Sequence, residues 1–70
     1  MNWHTVRNVE RLLSNDLRAA ITAALGPAAA AAWRLTASGL YSELRQVERI
    51  DLADSMVDAV LVARRRECAT

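Results

Sequence analysis

The sequence predicts an all-α fold: a small three-helix bundle, four-helix if the last segment divides, with a long C-terminal helix, in one domain over residues 1–70. Two observations carry this. Apolar residues recur at three- and four-residue steps rather than alternating, and only two glycines and one proline punctuate 70 residues. Length sets a limit as well. A chain this short buries only about 60% of the surface it exposes unfolded, so its core is thin unless a disulfide, a metal or another subunit is added.

In the first segment Val6, Val9, Leu13, Leu17, Ala20, Ile21 and Ala24 form one helical stripe. Thr5 suits its N-cap, because the hydroxyl can accept from a free N–H of the first turn. Ser14-Asn15-Asp16 lies mid-stripe, and these residues favour caps and turns; the stripe nevertheless keeps its phase across them, so one helix is expected, with a break at these residues as the alternative. Gly26-Pro27 is the clearest boundary, with glycine suited to the left-handed position past a helix end and proline to the first position of the next helix. The second helix should run from Pro27 to about Ala37. Its alanines at 28–32 give a smooth surface, and Trp33 and Leu35 supply bulk. Ser38-Gly39 then reads as its stop.

The segment from Leu40 to about Arg66 reverses phase. Leu40, Leu44, Val47, Asp51, Asp54 and Asp58 share one stripe, greasy in its first half and acidic in its second. Ile50, Ala53, Val57 and Leu61 form an apolar row on nearly the opposite side. One helix cannot bury both rows against one neighbour. It either breaks near Ile50, with Asp51 as N-cap and Asp54 as the capping-box acid, or is gripped from two directions. Because no glycine or proline interrupts it, the expected form is a continuous or bent helix of roughly 27 residues, about 40 Å long. Leu52, Met56, Val60 and Ala63 widen its apolar arc beyond the ~100° of an ordinary surface helix. Such a helix belongs at the centre of a bundle or at an interface.

Composition excludes several classes of function. Hydrophobic residues make up 53%, but fourteen of them are alanine, which leaves 23 larger ones, an ordinary core inventory. The net charge is +1 and all nine cations are arginine, so the strong positive field of a non-specific nucleic-acid binder is missing. Cys68 is the only cysteine and His4 the only histidine, so an internal disulfide is impossible and a zinc site lacks ligands. No cofactor is expected. Ser14, Ser38, Ser42 and Ser55 stand in no nucleophile elbow and no glycine-rich phosphate loop exists, so an enzyme is not expected either. No apolar run reaches about 18 residues, which argues against a membrane span. The first residues show no charged-then-apolar leader, and the expected location is the cytoplasm.

The candidate functional residues follow from the phase reversal. Leu40, Leu44, Val47, Leu52, Met56, Val57 and Leu61 are expected to meet a partner, by helix-in-groove burial. Asp51, Asp54 and Asp58 form an acidic edge that could receive arginines of that partner; a convex helix face offers no pocket for acid–base chemistry. Arg34, Arg64, Arg65 and Arg66 are candidate phosphate contacts, although the last three also complement the helix dipole. Trp3 and Trp33 are expected as core or interface anchors. Residues 17–37 have the outline of a helix-turn-helix, but the positions that would read bases are alanines. The expected function is thus a small cytoplasmic interaction module: a homo-oligomer, or an adaptor, inhibitor or chaperone of a larger protein. The alternatives are a dimeric DNA-binding regulator with a degenerate helix-turn-helix and a non-catalytic small subunit of a larger complex. The partner is a protein or a second copy, with nucleic acid disfavoured and no membrane.

Overall fold

The computed structural model describes residues 2–69, with side chains to residue 67. Cys68 therefore lies outside the described side chains. Helices α1 (Asn15–Leu25), α3 (Ala37–Gln46) and α4 (Ile50–Ala69) form a small bundle, and α2 (Ala29–Ala32) is a single turn between α1 and α3. There is no strand among the described residues. The all-α fold with a long last helix is as the sequence predicts.

The first stripe folds differently from its prediction. Two 3-10 turns, Trp3–Thr5 and Val9–Leu12, precede α1, and Asn8 between them is left-handed at φ 57°. Asparagine enters that conformation more readily than most residues with a side chain. Ser14, not Thr5, is the N-cap, its hydroxyl accepting from the Leu17 N–H at 3.2 Å. The cap residues thus win over the continuous stripe. Val9 and Leu13 are nonetheless buried. The backbone of this arm is fastened to the bundle, since the Ala37 N–H donates to the Val6 carbonyl at 2.8 Å. Trp3 meets Tyr41 of α3 edge to face at 5.6 Å between ring centres.

Gly26 ends α1 at φ 60° and ψ −133°, outside the left-handed helical region expected of it. The second helix, expected from Pro27 to about Ala37, is reduced to a 3-10 turn, Gly26–Ala28, and the single turn α2. Ser38-Gly39 is not a stop. Thr36 is the N-cap of α3, accepting from the Gly39 N–H at 3.3 Å, so both residues lie in the first turn.

The last segment breaks, which corrects the expectation of one continuous helix. Glu48 takes a left-handed conformation at φ 60°. The Arg49 N–H reaches back to the Leu44 carbonyl at 2.9 Å and the Glu48 N–H to the Arg45 carbonyl at 3.0 Å. That pair of bonds is a Schellman motif, formed here without glycine. Asp51 is not a cap; it lies in the first turn of α4. The break turns the two opposed apolar rows toward one core: Leu40 and Leu44 from α3 meet Ala53, Met56 and Val60 from α4, all fully buried. Ile21 and Leu25 of α1 close the cluster.

Candidate functional site

With the rows folded together, part of the expected partner surface becomes core. Leu40, Leu44, Leu52 and Met56 are buried by the chain itself and are not available to a partner. Val47, Val57 and Leu61 remain on the outside to different degrees. Val47 is 43% exposed at the corner between α3 and α4, while Val57 and Leu61 are half-buried. Ile50, which the sequence reading placed in the apolar row but not at the interface, is 51% exposed.

Helical geometry explains this division. At 100° per residue, Ile50, Val57 and Leu61 lie within about 40° of one another, and roughly a quarter turn from the centre of the buried Leu52–Ala53–Met56–Val60 row. The α4 apolar arc is wider than its neighbours cover, and this row is a half-covered flank of it, with Ile50 exposed and Val57 packed partly against the core. Next to it, farther from the core, lie Asp54, Asp58 and Asp51, all exposed.

The three aspartates are not equivalent. Arg49 clamps Asp51 with two hydrogen bonds of 3.2 Å, Nε to Oδ1 and Nη2 to Oδ2. The side-chain hydrogen bond from Arg49 holds the Asp51 carboxyl below the ordinary carboxylate range, and the same bond raises Arg49. Asp54 and Asp58 make no ion pair among the described residues. Nor does any group of three metal-ligating side chains converge there.

The arginines do not gather into one grip. Arg34 is exposed in the turn after α2, away from α4 in sequence and element. Arg64, Arg65 and Arg66 are successive on α4, so their side chains leave it about 100° apart. The would-be recognition helix is only the four residues of α2, followed by a turn at Trp33 and Arg34. Trp33 is half-buried against the core, an anchor within the chain.

The concavities are shallow. One of about 200 Å³ is lined by Ala28, Ala31, Ala32, Leu35 and Glu43, below the ~300–1,000 Å³ of ordinary ligand pockets. Another of about 360 Å³ lies among Arg7, Asn8, Arg11, Leu12 and Glu67, where a carboxylate shares the space with the two guanidinium groups. No helix is long and apolar enough to cross a membrane among the described residues. Besides the half-covered flank of α4 with its acidic margin, Leu35 at the first concavity and Val62 on α4 are large apolar side chains left exposed. Comparison of the chain with family models, curated proteins and solved structures finds no match.

Proposed function

We propose that the chain is a small protein–protein interaction module, acting in the cytoplasm, that works through the outer flank of α4 rather than through catalysis. The observation that carries this reading is the apolar row Ile50–Val57–Leu61, continued by Val47 at the corner, which the chain's own helices leave half-covered. Fully burying one leucine or valine is worth about 1.5–3 kcal/mol, so these four side chains hold useful free energy that the monomer does not realise. Asp54 and Asp58 beside the row, without an ion pair among the described residues, would fix the register of whatever covers it.

The test is affinity capture from an extract of the source cells, with wild type compared with Leu61→Glu. The variant places a charge at the C-terminal end of the row, and circular dichroism verifies that its helices persist. The expected result is loss of the captured proteins, or of self-association, in the variant. Identical captured proteins and identical mass in solution for both would refute the assignment.

A further inference from the structure

We propose that α4 pairs antiparallel with α4 of a second copy of this chain, along the seam Asp54, Asp58, Leu61 and Arg65. This rests on the reading of α4 as the contact helix and names an occupant for the acidic margin of its flank, with Leu61 the one residue shared with the apolar row. The four residues recur at steps of four, three and four, the spacing of a two-helix seam, and fall within about 60° of the helix circumference. Asp54, Asp58 and Arg65 are exposed, and Leu61 is half-buried at the edge of the apolar row.

Charge order selects the partner and its direction. The seam is acidic toward the N-terminal end of α4 and basic toward its C-terminal end. A two-fold axis between residues 59 and 60 sets Asp54 against Arg65 of the other copy, twice, with each Leu61 beside the other chain's Asp58. A parallel pair would instead set every aspartate and every arginine against its own copy, whereas the antiparallel pair brings only the two Asp58 side chains near each other, about 4.5 Å apart along the axis.

The helix dipole accounts for part of this pattern, since acids favour the first turn and cations the last. It does not account for Asp58, which lies eight residues beyond Ile50, more than two turns in. Asp54 and Asp58 are four apart and repel each other, and no cation of the same chain pairs with either among the described residues. A facing arginine relieves that repulsion. With one leucine per chain at the seam, the dimer is weak and transient rather than obligate.

Sedimentation equilibrium on the full chain, from micromolar to about 1 mM and at low and high salt, tests the pairing through a charge swap. Wild type is expected to dimerise reversibly, less at high salt. Asp54→Arg and Arg65→Asp should each weaken the dimer at least about tenfold, because each turns two facing pairs into like charges. The double variant Asp54→Arg/Arg65→Asp should return to within about threefold of wild type. Within one chain these positions are about 16 Å apart along the helix, well past the ~8 Å screening length at physiological salt, so rescue requires two chains. Circular dichroism confirms that the exposed substitutions leave the fold intact. A wild type that stays monomeric at 1 mM, single variants that dimerise like wild type, or a double variant as weak as the singles would each overturn the pairing. If capture is still lost on Leu61→Glu in any of those cases, only the second copy is ruled out, and the interaction module stands with a different protein on α4.

Discussion

Replacing Glu48 by glycine distinguishes the broken segment from a continuous helix by the sign of the effect. In the structure Glu48 is the left-handed residue of the Schellman motif, exposed, with φ 60°. A side chain in that conformation costs roughly 1–2 kcal/mol, which glycine does not pay. Against this stands the extra freedom glycine gains in the unfolded chain, about 0.5–1 kcal/mol. The two hydrogen bonds of the motif, at 2.9 and 3.0 Å, involve only backbone and survive the change. Glu48→Gly should therefore stabilise the protein by about 0.5–1 kcal/mol, or some 2–8 °C in melting temperature for a domain of this size. In a continuous helix the same glycine would sit mid-helix and cost about 1 kcal/mol relative to alanine. Urea unfolding followed at 222 nm, with Glu48→Ala as a second variant that keeps the Cβ, measures the difference. A loss of stability on Glu48→Gly would refute the break and the shared core that depends on it.

Three further expectations are open to similar measurement. Met56→Ala, at a fully buried position between α3 and α4, should cost about 2–5 kcal/mol in chemical denaturation, and a change under 1 kcal/mol would show that α4 does not bury that face. Thr36→Ala removes the hydroxyl that caps α3 and should cost about 1 kcal/mol, with Thr36→Ser restoring most of it; equal stability of the two variants would show that the cap is not formed. Asp51 should titrate below the ordinary value of 3.8, and Arg49→Gln should bring it back up, as read by side-chain NMR. Because the folded value is depressed, the stabilisation is complete above the unfolded value and fades as pH falls through the folded one. An Asp51 midpoint indifferent to Arg49→Gln would mean that the clamp does not persist in solution.

What the sequence disclosed of this fold depends on whether the deciding residue type was distinctive. Gly26-Pro27 was legible because few other residues serve a positive φ followed by a helix start. The break at residues 47–49 was not, because the left-handed position is filled by glutamate, which carries no such signal. The phase reversal did show that something had to give near Ile50, but the choice between a break and a double grip was settled by packing. Ser38-Gly39 misled for a related reason: Thr36 captures the Gly39 N–H first, so a pair that often stops helices lies in a first turn. In the N-terminal arm Val9 and Leu13 are buried, as their stripe predicts, although no α-helix carries them. Burial there follows from apolarity, whereas conformation follows from Asn8 and Ser14. The contact surface inherited the error at the break. Once α3 and α4 fold against each other, four of the seven expected contact residues line their common core, while Val47, Val57 and Leu61 keep some outward face.

The bond from the Ala37 amide to the Val6 carbonyl belongs to no side chain, so drift in the side chains at either position leaves the rivet itself in place. Ala37 is the first residue of a helix, where proline is ordinarily welcome. Here proline would remove the backbone hydrogen bond from the start of α3 to the leading arm, leaving the arm to Trp3 against Tyr41 and to the buried Val9 and Leu13. A residue chosen by general rules to strengthen a helix would thus loosen the arm that helps to cover it.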